Sequence, residues 1–201
     1  MSTAGPVALS PLAGPPRKKW TRAQRDALAA AGLLDADQFE LLEGELINRM
    51  GKRRPHINTF TRLQWWLLQT FGPLRVNVEA PIEVASDDRL WNEPCPDAVV
   101  LRHEDGASRL THPGAAELDL VVEISASTLQ YDLTIKAALY ARAGILEYWV
   151  VDVRNGCVVV HTAPIDGRYQ STVTCHDSVA PLAAPESWLK ITDLFPVLPE
   201  D

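Results

Sequence analysis

The run Leu120-Val121-Val122-Glu123-Ile124-Ser125 places one carboxylate inside an otherwise apolar stretch of strand length. A buried carboxylate costs free energy unless it is paired with a cation or holds a metal ion. A second acid, Asp97, follows Pro96 and opens the apolar run Ala98-Val99-Val100-Leu101. Two carboxylates on neighbouring strands are what a hard divalent cation needs, although an Asp that caps the turn after Pro96 is an equally good interpretation of Asp97 alone.

The hydrophobic periodicity on both sides of this run predicts an α/β fold. Helices are predicted at 21–31, 57–70 and 129–143, and strands at 39–42, 45–47, 76–84, 98–101, 118–124, 148–151, 157–161 and 169–174. A closing short strand and helical turn are expected between Trp188 and Phe195. This order predicts a mixed central sheet flanked by helices, with extra β-hairpins at the N- and C-terminal ends.

Length, charge and cysteine content limit the function classes. The 201 residues fit a single domain, expected over 20–201, after a disordered leader at 1–19 that is rich in Ala, Pro, Ser and Gly. No apolar run approaches the roughly 20 residues that cross a bilayer, so no membrane association is expected. Three widely spaced cysteines show neither zinc nor disulfide spacing, which favours a reducing cytoplasm.

The net charge of −7 argues against a protein that coats nucleic acid through general electrostatics. A local basic cluster precedes His56 and consists of Arg49, Lys52, Arg53 and Arg54. A solvated loop is the simpler interpretation of each residue, but the cluster as a whole keeps phosphate contact open.

The stretch from Val121 to Asp152 closely resembles the Uma-type family, bacterial proteins that are classed as restriction-endonuclease-like nucleases. The segments Phe39–Leu46 and Glu93–Asp97, and His56 ahead of the first core helix, resemble the same family in the same order. The resemblance covers roughly residues 20 to 195 and implies the PD-(D/E)XK nuclease fold. The chain departs from the signature at Ser125, where the pattern has Lys, and Lys136 matches the family's displaced lysine.

The resemblance implies roles for these residues. Asp97 and Glu123 would bind Mg²⁺ or Mn²⁺ beside a DNA phosphate, and Lys136 would orient the attacking water or neutralise the phosphate. Ser125 would hydrogen-bond Glu123 or the water. Glu45, or else Glu40 or Glu43, would add an outer acid, while His56, Arg53 and Arg54 would contact substrate.

Several of these residues have simpler interpretations. Lys136 follows Asp132 by four residues, so a surface ion pair along the helix is the alternative. A histidine such as His56 at the start of a helix is more often a hydrogen-bonding residue than a catalyst. Glu45 in an exposed hairpin is normally solvated.

The sequence therefore predicts a metal-dependent DNA endonuclease, with a homodimer as the expected assembly. The first alternative is a non-catalytic nuclease-fold module that binds DNA or forms a dimeric interaction unit. Ser125 at the lysine position and the acidic net charge favour that alternative. A weaker one is a metal-dependent hydrolase of a small phosphoester.

Overall fold

A computed structural model describes residues 17–49, 53–104 and 110–195 of the chain. The N-terminal part contains helix α1 (Arg22–Ala30) and the hairpin of strands β1 (Phe39–Leu42) and β2 (Glu45–Asn48). Thr21 caps α1 in a capping box with Gln24, which satisfies backbone N–H groups that the first turn leaves unpaired. The hairpin turns through Glu43 and Gly44 at φ 50° and 80°, the left-handed conformation that tight two-residue hairpin turns require.

Six strands form the central sheet in the order β3-β4-β5-β6-β7-β8. They are β3 (Val76–Val78), β4 (Ala98–Leu101), β5 (Leu118–Ser125), β6 (Glu147–Asp152), β7 (Cys157–Ile165) and β8 (Arg168–Cys175). Only β5 and β6 run parallel, and the other neighbours pair antiparallel. Parallel strands need a crossover connection, which here is helical.

Helices cover both faces of this sheet. Helix α2 (Arg54–Phe71) packs Leu63, Leu67 and Phe71 on one face. The β5–β6 crossover covers the other face and consists of α3 (Leu129–Tyr131), a π-helical turn (Asp132–Lys136) and α4 (Ala137–Ala143). Gly144 ends α4 in the left-handed conformation, the usual helix C-cap.

The C-terminal part closes the face that α2 covers. Strands β9 (Ser178–Val179) and β10 (Leu189–Lys190) pair antiparallel, and a 3₁₀ turn follows at Ile191–Leu194. Val179, Leu189, Ile191 and Leu194 join the α2 side of the core. The closing short strand and turn expected near the C-terminus are therefore confirmed.

The predicted fold class is confirmed, with one correction in the strands. The strand predicted over 76–84 ends at Val78. Glu79 adopts φ 51°, which lies outside the β region of backbone conformation, and its N–H donates to the Asp97 carbonyl at 3.1 Å. The alternation of Ile82 and Val84 reflects side chains of an extended loop that reach two different core clusters.

The proposed leader falls on residues 1–19, of which 1–16 lie outside the described residues. Within the described ranges, no helix has the length and apolarity needed to cross a bilayer.

Candidate functional site

The predicted acids meet at one edge of the sheet. Ala98 of β4 pairs with Val122 of β5, so Asp97, one residue earlier, lies beside Glu123. On the other side of β5, Ser125 pairs with Asp152 at the end of β6. The side-chain period of a strand is two, so Glu123 points away from the α2 face, where Val122 and Ile124 pack.

A cleft of about 870 Å³ opens at this edge. Its walls come from the hairpin, the start of α2, the ends of β5 and β6, and the crossover helix. The lining residues include Glu40, Arg49, Arg53, His56, Cys95, Asp97, Glu123, Tyr131, Asp132, Lys136 and Arg154.

Lys136 reaches the predicted acid from the helix. Its Nζ donates to Glu123 Oε1 at 2.8 Å and lies 3.0 Å from Glu40 Oε1. Lys136 and Glu123 are 4% and 5% exposed. The alternative of a surface ion pair with Asp132 is therefore wrong, because the lysine is buried and the Asp132 carboxylate is a more distant partner at 3.9 Å.

The π-helical turn sets the rotation that brings this lysine inward. In that turn the Ala137 N–H donates to the carbonyl of Asp132, and the Tyr148 hydroxyl donates to the same carbonyl at 3.1 Å. Such turns inside α-helices are rare and are frequent at functional sites. One helical turn after Lys136, the Tyr140 hydroxyl donates to Glu123 Oε1 at 2.8 Å.

The environment of the Glu123 carboxylate strongly perturbs its pKa. Burial raises its pKa well above the usual range, the Lys136 ammonium opposes this, and the carboxylates of Asp132, Asp97 and Glu40 raise it further. For Lys136, burial lowers the pKa, but Glu123 and Glu40 outweigh burial and raise it overall. The neighbouring carboxylates therefore hold Lys136 in its charged form.

Asp97 is held by the backbone and by a histidine. Its Oδ2 accepts from the Ile124 N–H at 2.7 Å and lies 3.4 Å from His56 Nε2. His56 is buried in the first turn of α2, and among the described residues its Nδ1 has no hydrogen-bond partner. The structure thus brings His56 to the acid, and its role in substrate contact stays a prediction.

Ser125 binds a different acid from the one expected. Its hydroxyl donates to Asp132, whose Oδ2 also accepts from Thr128 Oγ1 at 2.7 Å. These hydroxyls fix Asp132 at the entrance to the π-helical turn.

The structure brings Glu40, rather than Glu45, to Lys136. Besides the ammonium, Glu40 accepts at Oε2 from the Cys95 N–H at 3.3 Å. Glu45 lies beside the turn, 3.7 Å from Arg17, with its side chain 45% exposed. Glu43 Oε1 accepts from Arg142 at 3.0 Å. The placement of Glu45 therefore differs from the prediction.

The basic cluster divides at the start of α2. Arg53 lines the cleft. Arg54 is exposed as the first residue of the helix and is outside the set that lines the described cleft. Arg49 lines the cleft but donates from Nη1 to the Asp37 carbonyl at 3.3 Å. Lys52 lies outside the described residues.

Three residues of the cleft region were not among the predicted site residues: Tyr140, Asp132 and Arg154. Tyr140 had a detectable signal, because it follows Lys136 by four residues and so shares its helix face. Cys95 also lines the cleft, but burial raises the pKa of its thiol to about 12, so it is a protonated wall residue.

The carboxylates at this edge of the sheet fit Mg²⁺ or Mn²⁺ if water and a substrate phosphate supply the remaining ligands. Within the described ranges, no three His, Cys, Asp or Glu side chains form a cluster that could hold a metal ion. Mg²⁺ commonly binds through one or two carboxylates together with water and substrate phosphate. Asp97 and Glu123 are the two carboxylates of this edge that would serve as such ligands.

Comparisons with known proteins identify the family and the fold. A family model described as "Uma2: Putative restriction endonuclease" matches residues 27–192, and the chain therefore belongs to the Uma2 family. A crystal structure from Anabaena variabilis ATCC 29413, titled as a putative nuclease belonging to DUF820, is similar with a TM-score of 0.65. It is 22% identical, and the match covers 83% of this chain and 94% of that one. A comparison with curated proteins finds no match.

Proposed function

We propose that this protein is a divalent-metal-dependent DNA endonuclease whose centre is Asp97, Glu123 and Lys136. The observation that carries the proposal is the burial of Glu123 and Lys136 in one cleft, 2.8 Å apart, with Asp97 beside them. The family description and the nuclease fold support the same class of reaction. Fold alone does not establish activity, so it is these three side chains that support the proposal.

Asp97 and Glu123 would hold the cation. Glu123 uses Oε1 for Lys136 and Tyr140, which leaves Oε2 for a ligand. When bound, Mg²⁺ or Mn²⁺ lowers the pKa of a bound water and stabilises charge on phosphate oxygens.

Lys136 supplies positive charge that does not titrate near neutral pH. Its ammonium carries three donors, of which Glu123 and Glu40 take two. The third donor can orient a water or bind a phosphate oxygen. Tyr140 positions Glu123 by fixing Oε1, so that the carboxylate does not rotate when substrate enters.

A DNA-binding module without catalysis is the second candidate. The ion contacts of Lys136 with both Glu123 and Glu40 favour it, because a lysine committed to two carboxylates has less freedom to act on substrate. The two candidates differ in one measurable property, which is metal-dependent strand scission.

A plasmid-nicking assay tests the proposal. Wild type should nick supercoiled plasmid in Mg²⁺ or Mn²⁺ and leave it intact in EDTA, and Asp97→Asn should lose this activity. The matched control is Asp166→Asn, the same change at an exposed turn between β7 and β8. Intact plasmid with folded wild type in both metals would refute the nuclease and leave the binding module.

A further inference from the structure

We propose that Arg154, in the turn between β6 and β7, binds a phosphate of the nucleic-acid substrate on the side of Glu123 away from Arg53. The inference rests on the proposed function and assigns a substrate contact to a residue outside the Asp97–Glu123–Lys136 centre. Both arginines line the cleft.

The strand order separates the two arginines. Asp97 precedes β4, Glu123 lies on β5, and Arg154 follows β6, and these three strands are adjacent in the sheet. Arg53 directly precedes α2, whose first turn carries His56 against Asp97. Neighbouring strands lie about 4.8 Å apart, so the Asp97 end of β4 and the Arg154 end of β6 are about two strand spacings apart, with Glu123 of β5 between them. A polynucleotide that crosses Glu123 would meet one arginine on each side.

The backbone beneath Arg154 is fixed. Asp152 Oδ1 accepts from the Arg154 N–H at 2.9 Å and from the Asn155 N–H at 3.1 Å. The Val153 N–H donates to the Ser125 carbonyl at 2.9 Å, which ties the turn to the end of β5. The Arg154 side chain is exposed above this fixed backbone, so binding a phosphate orders only the side chain.

The acids of the cleft favour a positive side chain at its rim. Among the described residues, the cleft contains the carboxyl groups of Glu40, Asp97, Glu123 and Asp132 around the ammonium of Lys136. A polyanion approaching these acids is repelled, and the net charge of −7 provides no compensating field. Positive side chains at the rim must therefore supply the attraction.

An arginine side chain is also well suited to bind a phosphate. An arginine fork can donate two parallel hydrogen bonds to a phosphate, whereas a lysine acts as a point charge. Arg49 is tied to the Asp37 carbonyl, so Arg53 and Arg154 are the cleft arginines, within the described ranges, that we assign to substrate.

Fluorescence anisotropy with labelled DNA in EDTA tests the assignment without cleavage. Arg154→Gln should weaken binding about tenfold and reduce the slope of log affinity against log salt by about 1. Arg154→Lys should retain the salt slope and recover part of the affinity, because it keeps the charge and loses the fork. Arg168→Gln is the control, since Arg168 is an exposed arginine of β8 that does not line this cleft.

The outcomes separate the inference from the proposed function. If wild type binds DNA and Arg154→Gln binds it within twofold with an unchanged salt slope, the assignment of Arg154 is wrong and the function stands. If folded wild type fails to bind DNA in EDTA, the assignment of Arg154 is wrong, and the plasmid-nicking assay in Mg²⁺ or Mn²⁺ decides the proposed function separately. A loss of affinity for Arg168→Gln equal to that for Arg154→Gln would also overturn the assignment, because the effect would then come from net charge alone.

Discussion

Replacing Lys136 by Met should destabilise the protein strongly at pH 8. The ammonium lies within 3.0 Å of two carboxylates, from Glu123 and Glu40. All three side chains are under 10% exposed. Removing one partner of a buried ion pair costs about 3–5 kcal/mol, because the remaining charge stays buried and unpaired. An exposed pair contributes about 0–1 kcal/mol.

The cost should shrink as the pH falls. Without the ammonium, the folded-state pKa of Glu123 rises further above its usual value of 4.5, since burial already raises it. An acid whose pKa is higher in the folded state binds more protons there, so stability falls as the pH rises through the window above 4.5. Lys136→Met should therefore lose much less stability at pH 5 than at pH 8.

Urea denaturation at both pH values measures this difference. Lys190→Met is the control, because Lys190 is an exposed lysine of β10, and its loss should cost no more than about 0.5 kcal/mol. If Lys136→Met costs less than about 1 kcal/mol at pH 8, the lysine contributes no more than an exposed ion pair does. That result would refute the prediction that its loss leaves buried, unpaired carboxylates.

Two further predictions concern groups outside the metal-ligand set. Burial lowers the pKa of His161, which stacks on Tyr148 and contacts Thr172. The unfolded chain therefore binds more protons than the folded protein below about pH 6.5, and folding stability falls as the pH drops. The stability lost between pH 7.5 and 5.5 should be smaller in His161→Gln than in wild type. Equal losses in the two proteins would contradict this prediction. Tyr148→Phe should cost about 1 kcal/mol in urea denaturation, because the Asp132 carbonyl loses the donor that supports the π-helical turn, and a gain in stability would contradict it.

Local sequence patterns predicted most of the fold. Periodic apolar residues located α2 and the crossover helix, and Gly44 and Gly144 stand where left-handed turns occur. The strand predicted over 76–84 is too long. Apolar residues that alternate, such as Ile82 and Val84, occur both in strands and in extended loops whose side chains pack inward. Pro81 interrupts this alternation in the sequence and argues against a continuous strand. The left-handed conformation of Glu79 ends the strand before Pro81, and nothing in an ordinary Glu indicates that conformation.

Sequence patterns could not predict which acid of the hairpin contacts Lys136. Glu40 pairs with Ile47, and Glu45 pairs with Leu42, so the two acids share one face of the hairpin. They differ by two positions along the strands, about 7 Å. Which of them meets Lys136 depends on how the hairpin docks against the crossover helix, and this is a tertiary contact.

The lysine itself was identified by resemblance, and its rotation was not predictable. A regular helix places Lys136 one turn after Asp132, and this spacing is equally compatible with an exposed ion pair and with a buried one. The π-helical turn and the Tyr148 contact decide between them. Both depend on strands that lie outside the helical segment.

Calorimetric titration of Mn²⁺ into wild type and Glu123→Gln tests the central claim most directly. Circular dichroism on the same samples should first show that both proteins are folded. The account predicts that wild type binds the metal and that Glu123→Gln loses this binding, because the amide removes one of two carboxylate ligands. Equal Mn²⁺ binding by both proteins, or no binding by folded wild type at millimolar metal, would contradict a metal centre at Asp97 and Glu123.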